Sequence, residues 1–195
     1  MATTKRILTI MLLTAVTVTL FSFDMPSGWY MAGMTPQNYE MGIDKGAGQN
    51  GTNAGTMKSI EPKINGWGTL MQDCSPEKFL GKKIRMSAFM KSNDLNNKAV
   101  FWLRVDQPNF DKPLSFDNMM KRPIKGNTNW TKYEIELDVP NNASNIAYGA
   151  MLVGGGQIWF DNFTFDIVGD ATPSLDSTKA KPKYANDPTN LDFEK

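Results

Sequence analysis

The chain has 195 residues, with 21 lysines and arginines against 20 acidic residues, for a formal net charge of +1. This length is enough for one domain with a real core, and the near-neutral charge argues against nucleic acid as a partner. The chain has no histidine, which excludes Ser–His–Asp and Cys–His catalytic sites and argues against most zinc and copper sites. Its one cysteine, Cys74, excludes an intramolecular disulfide.

The first 22 residues have the pattern of a secretory leader. Lys5 and Arg6 precede an apolar run over residues 7–21, which has the length of a signal peptide and is too short to span a bilayer comfortably. Because no clean cleavage signal follows, residues 1–22 are predicted to be a signal peptide or an uncleaved N-terminal anchor. We therefore expect a secreted or periplasmic protein, which contacts a membrane only if the leader is retained.

Short alternating segments follow through residues 23–168. In residues 82–91, apolar side chains alternate with polar ones, which is typical of a half-buried strand. Similar strand-like segments, separated by turn residues, are found at residues 99–106, 129–140, 145–153 and 156–168. No window outside the leader keeps apolar residues at helical spacing. The pattern predicts an all-β fold, a two-sheet antiparallel β-sandwich.

Residues 156–168 carry the most distinctive motif of the chain. Aromatic and polar residues alternate there around an Asp161-Asn162 pair, and further motifs stand upstream at Gly28-Trp29, residues 81–91 and residues 129–133. In this order they resemble the jelly rolls of carbohydrate-binding modules, the galactose-binding-domain-like superfamily, as found in exported bacterial proteins of unassigned function. The resemblance covers about residues 23–168. It implies a jelly roll that recognises carbohydrate and performs no catalysis.

Aromatic and polar side chains are expected to share one sheet face. Trp102, Arg104 and Asp106 alternate onto the side of a strand whose other side is apolar. Sugars bind to such sets, because a pyranose packs its C–H face on an aromatic ring while polar groups bond its hydroxyls. Trp67, set between two glycines, is a candidate for a second platform. The alternative is packing by the tryptophans and a simple ion pair between Arg104 and Asp106.

A long connection over residues 114–126 joins two predicted strands. It holds Phe116, Asp117, Asn118 and Arg122, and long loops on rigid sandwiches often carry binding sites. These four residues are therefore candidate ligand contacts. The alternative is a packed crossover with no function of its own.

The resemblance also implies one structural Ca²⁺. Its oxygen ligands would come from the opening strand, a following loop and the closing strand, which places Asp24, Asp44 and Asp161 in the corresponding positions.

Two other functions stay open at this point. One is a weak glycosidase that uses a carboxylate pair such as Asp106 with Asp117. The other is a structural or docking module of a larger exported enzyme. Residues 169–195 favour the second, because they are predicted to be a disordered linker that ends in Leu191-Asp192-Phe193-Glu194, a phrase like the opening strand of another module. Alternatively, this phrase docks back onto the sandwich as an added strand.

Overall fold

The computed structural model describes residues 23–108, 112–173 and 179–195, and within them nine strands and three short 3-10 turns are found. The described residues contain no α-helix, so the prediction of an all-β fold is confirmed. The strands are β1 (Tyr30–Gly33), β2 (Tyr39–Asp44), β3 (Ala54–Ser59), β4 (Trp67–Cys74), β5 (Lys82–Asp106), β6 (Ser115–Asp117), β7 (Ile124–Val139), β8 (Asn145–Val153) and β9 (Gln157–Asp170).

Strand β5 belongs to both layers of the sandwich. Its first half, residues 82–93, pairs antiparallel with β9, and its second half, residues 98–106, pairs antiparallel with β8. Register shifts between Met90 and Ala99 let the strand turn from one layer into the other. The strand order is β1-β4-β8-β5-β9-β3-β2, with β6 and β7 also paired to β5.

Aromatic rings from the two layers fill the space between them. Phe101 of β5 lies edge-on to Phe163 of β9, with ring centroids 5.2 Å apart, and Tyr148 of β8 lies 4.8 Å from Phe165 of β9. Since β8 and β9 are not neighbours in the strand order, these contacts join facing sheets. Edge-to-face rings of this kind add about 0.5–1.5 kcal/mol per pair beyond the area they bury.

The C-terminal segment differs from the predicted disordered linker. Strand β9 continues to Asp170, and residues 179–195 lie against the sandwich without forming a strand. Phe193 is fully buried, with its ring 4.9 Å from that of Trp29. The backbone N–H of Phe163 donates to the carbonyl of Leu191. The segment thus docks on the sandwich, as in the alternative given for it, although not as an added strand.

Hydrogen bonds to Asn53 help to hold the end of this segment, where the backbone conformation is uncommon. Asn190 and Phe193 have φ values of 48° and 57°, in the left-handed region that non-glycine residues seldom adopt. The Glu194 carboxylate accepts hydrogen bonds from the backbone N–H and the side-chain amide of Asn53, at 2.8 and 3.1 Å. Burial of the Phe193 ring and these bonds together offset the cost of the turn.

The predicted leader, residues 1–22, lies outside the described residues. Among those that are described, the structure has no helix of the length and apolarity needed to cross a membrane.

Replacing Phe193 by alanine should lower the free energy of unfolding by about 3–5 kcal/mol, because it empties a fully buried ring site. Urea denaturation followed by tryptophan fluorescence measures this change. The matched control is Tyr184→Ala in the same segment, whose ring is 36% exposed and whose loss should cost within about 0.5 kcal/mol. An unchanged midpoint for Phe193→Ala would contradict the docked position of the segment.

Candidate functional site

A cleft of about 630 Å³ lies on the outer face of the layer formed by β1, β4, β8 and the second half of β5. Alternate residues of each strand point away from the core there, as the period of two along a strand requires. The volume is in the range of clefts that hold small molecules. Its lining residues are Tyr30, Ala32, Trp67, Thr69, Met71, Lys98, Trp102, Arg104, Phe116, Asn118, Met120, Met151 and Val153.

Trp102 forms the floor of this cleft. It stands opposite Gly149 of β8, which has no side chain to hold the indole off the sheet. The indole therefore reaches over β8, and its Nε1 donates to Thr69 Oγ1 on β4 at 2.9 Å. The residue is only 5% exposed and packs against Met71 and Ala147. It is consequently a buried support and less of an open platform than the sequence suggested.

Arg104 and Phe116 lie side by side at one end of the cleft. They are register partners between β5 and β6, and the Phe116 ring is 47% exposed. Arg104 Nε lies 2.9 Å from Oδ1 of Asp106, and the other carboxylate oxygen, Oδ2, accepts a hydrogen bond from the Asn145 amide at 3.2 Å. Asp106 thus holds the guanidinium in place and does not itself line the cleft.

Trp67 lies at the opposite end of the cleft, at the start of β4. It is aligned across the sheet with Val153 of β8, which in turn is aligned with Lys98 of β5. An indole, an aliphatic side chain and an ammonium therefore stand in one row.

Edge strand β1 contributes Tyr30, which sequence reasoning missed. Its hydroxyl donates to the carboxylate of Asp73. Partial burial and this bond raise the pKa of Tyr30 well above its ordinary value, so the hydroxyl stays protonated. Alternation along Trp67, Thr69 and Met71 would have located the β4 part of the cleft, but a four-residue edge strand gives little periodic signal.

The predicted residues of the connection 114–126 have two different roles. Phe116 and Asn118 line the cleft, whereas Asp117 and Arg122 bond one another at 2.8 Å. Partial burial alone would raise the pKa of Asp117, but the guanidinium and the backbone N–H of Met119 outweigh it and lower that pKa. A carboxyl held ionised in this way does not suit the general acid that glycoside hydrolysis needs.

The structure thus brings five of the eight predicted ligand residues to one cleft, namely Trp67, Trp102, Arg104, Phe116 and Asn118. The other three, Asp106, Asp117 and Arg122, act as ion-pair partners beside it. Their role as ligand contacts stays a prediction.

The three predicted calcium ligands have separate partners. Asp24 pairs with Lys45 at 2.9 Å on the surface, and Asp44 accepts a hydrogen bond from Trp159 Nε1 at 2.7 Å. Asp161 is buried and accepts a bond from the backbone N–H of Asn162 at 2.7 Å. Across residues 23–108, 112–173 and 179–195, no group of three acidic or cysteine side chains is arranged to hold a metal ion. Ca²⁺ binding by Asp24, Asp44 and Asp161 stays a prediction.

Burial raises the pKa of Asp161 to about 6. Hydrogen bonds from the backbone N–H groups of Asn162 and Gln49 and from Thr52 oppose this rise, and the nearby Glu194 carboxylate adds to it. The acid-titrating group thus lies where the closing strand meets the docked C-terminal segment.

Several solved structures with a similar fold are carbohydrate-binding modules. The CBM22-1 and GH10 modules of Clostridium thermocellum xylanase 10B, complexed with xylohexaose, superpose with a TM-score of 0.57 and 15% identity, over 76% of this chain and 28% of that one. The CBM22-1 xylan-binding domain of Paenibacillus barcinonensis Xyn10C gives a TM-score of 0.55 and 12% identity, over 77% and 92%. The fold is the jelly roll of carbohydrate-binding modules. The resemblance read from the sequence is thereby confirmed at the level of the fold.

One curated protein has a similar sequence, but its name does not refer to carbohydrate. The uncharacterized HTH-type transcriptional regulator YbfP of Bacillus subtilis (strain 168) is 39% identical over 168 residues, which is 86% of this chain and 56% of that protein. The chain thus spans little more than half the length of this relative. A helix–turn–helix needs two helices, and none lies in the part of the chain that the structure describes. No protein-family model matches the chain.

The raised pKa of Asp161 predicts that the jelly roll loses stability as the pH rises from about 4 to about 6. In this interval the folded state holds a proton that the unfolded state has released, so the free energy of unfolding falls, by at most about 3 kcal/mol, and then levels off. Asp161→Asn, which has no charge to bury, should flatten this decline. The measurement is urea unfolding at several pH values.

Asp166→Asn is the control for this measurement, since Asp166 is exposed on the same strand. It should keep the decline seen in the native protein. An identical pH profile for Asp161→Asn and the native protein would show that Asp161 is not the titrating group.

Proposed function

We propose that this protein is a non-catalytic, exported binding module whose cleft recognises carbohydrate. One observation carries the proposal: Trp67, Trp102 and Phe116 share a single open cleft with Arg104 and Asn118. Ring faces and directional donors are the two elements that sugar recognition combines.

The arrangement suits a sugar chain that lies along the sheet. The exposed Phe116 ring and the half-buried Trp67 indole stand at opposite ends, with the apolar floor of Trp102 between them. Pyranose C–H faces would pack on these groups while hydroxyls accept hydrogen bonds from the guanidinium and the side-chain amide. The named ligands of two structural neighbours, xylohexaose and xylan, make xylan chains the first to test.

The carboxylates beside the cleft support binding without catalysis. Asp117 is held ionised by Arg122, and Asp106 is bonded to Arg104 and Asn145. A general acid and a second free carboxylate across a sugar are what a glycosidase needs. The proposed role in a larger exported enzyme stays compatible with this module, because recognition of a sugar can serve a partner domain.

The match to YbfP does not support this proposal, because that protein is named as a transcriptional regulator. Export itself rests on the pattern of residues 1–22.

Phe116→Ala should weaken the binding of xylohexaose, or of the best ligand on a glycan array, by about tenfold or more, equivalent to about 1.4 kcal/mol. Phe116 is chosen because its ring is 47% exposed, so its loss should leave the fold intact, unlike loss of the buried Trp102. Isothermal titration measures the affinity.

Trp130→Ala is the matched aromatic control. Trp130 lies on β7 and contacts Lys91 through its ring face, away from the cleft lining. This variant should bind as the native protein does. A glycan array with no specific ligand, or equal losses in Phe116→Ala and Trp130→Ala, would argue against a carbohydrate site in the cleft.

A further inference from the structure

The two charged side chains that line the cleft are both cations, and one of them, Arg104, is paired with Asp106 just outside the lining. The described lining residues of the cleft include Lys98 and Arg104 and no aspartate or glutamate. Because the whole chain is close to neutral, this local excess does not follow from the overall composition. It points to a ligand that brings negative charge.

Lys98 is half-buried at the Trp67 end of the cleft. Its register partner is Val153, so the base of its side chain stands on the cleft face of β5. Among the described residues, its ammonium group has neither a hydrogen-bond acceptor nor an ion-pair partner. An ammonium in this position offers three donors and a full charge to whatever enters the cleft.

Arg104 keeps part of its guanidinium free at the other end. Asp106 holds the Nε position, and the two outer nitrogens have no hydrogen-bond partner among the described residues. The free edge between these two nitrogens matches a carboxylate better than a single hydroxyl. The hydrogen bond that Arg104 Nε donates to Asp106 fixes the orientation of this edge before a ligand arrives.

The spacing of the two cations limits the size of the ligand. Both side chains stand on the outer face of β5, six residues apart along the strand. With a rise of about 3.3 Å per residue, their backbone positions are about 20 Å apart. Between them the floor is apolar, formed by Trp102, Met71 and Met151. A small acid could reach only one cation, whereas an extended chain could reach both.

We propose that the cleft binds an acidic polysaccharide chain, one built with uronic-acid residues, whose carboxylates meet Arg104 and Lys98 while its sugar rings pack on the floor between them. This inference deepens the proposed carbohydrate function and rests on it. Arg104 sets the orientation of one carboxylate through its fork, and Lys98 supplies a less directional charge at the other end.

The test compares a galacturonic acid hexasaccharide with the same hexasaccharide after its carboxyl groups are reduced, and with xylohexaose as a neutral chain. Titrations with the full chain should show at least about tenfold tighter binding of the acidic hexasaccharide than of its reduced form. Added salt should lower the affinity for the acidic hexasaccharide and leave the affinity for the reduced form unchanged, since salt screens only the charge pairs.

Two substitutions locate the effect. Lys98→Gln and Arg104→Gln should each shrink the preference for the acidic hexasaccharide by about threefold or more, because each should weaken binding of the acidic form more than that of the reduced form, which loses only hydrogen bonds to hydroxyls. Lys125→Gln is the control, because Lys125 is exposed on β7 and does not line the cleft. Arg104→Lys keeps the charge without the fork and should restore only part of the preference.

The outcomes separate this inference from the proposed function. Equal binding of the acidic and reduced hexasaccharides, or binding of xylohexaose alone, would overturn the acidic ligand and leave a carbohydrate cleft. A preference that survives in both Lys98→Gln and Arg104→Gln would also overturn it. Absence of binding to all three probes would remove the proposed function together with the inference.

Discussion

The alternation of side chains along β5 is the constraint on which both the core and the cleft depend. Phe101, Leu103 and Val105 are buried in the core. Because successive residues of a strand face opposite ways, Trp102 and Arg104 must then stand on the outer side. A slip of one residue in this strand would exchange the two sets. The packing energy of the core therefore also fixes the position of the cleft residues.

The cleft floor depends on a glycine in β8. Gly149 stands beside Trp102, and a Cβ atom there would come within 2.4 Å of the Leu70 carbonyl oxygen. Glycine at this position allows the strands to approach and the indole to lie over β8. The hydrogen bond to Thr69 then satisfies the indole N–H, which would be costly to bury alone. Trp102, Gly149 and Thr69, from three neighbouring strands, thus together give the floor its shape and provide the indole N–H with a hydrogen-bond acceptor.

The sequence predicted the strands in which apolar and polar side chains alternate. Strict alternation in residues 82–91 and 99–106 gave the strands and the outward direction of Trp102 and Arg104 correctly. Alternation does not tell how deep an outward side chain lies, and so it could not decide between an open ring and a packed one for Trp102. The ion pair of Arg104 with Asp106 was one of the two interpretations of that strand, whereas the spacing of carboxylates in the sequence could not reveal the pair of Asp117 with Arg122. Residues 169–195 are mostly polar, so composition alone did not predict that Phe193 among them is buried in the core.

Phe193 has a consequence for the order in which the protein is made. It contacts Trp29, and the Trp29 indole N–H donates to the carbonyl of Asn190, across 161 positions of sequence. Contacts that join such distant residues form late, because a large loop must close before they contribute any stability. A chain growing from its N-terminus cannot complete its aromatic core until residue 193 has left the ribosome. Nearly the whole domain is therefore synthesised before its native packing can be finished. Until then its apolar strands stay exposed, and chaperones of the cell are needed to keep them from aggregating.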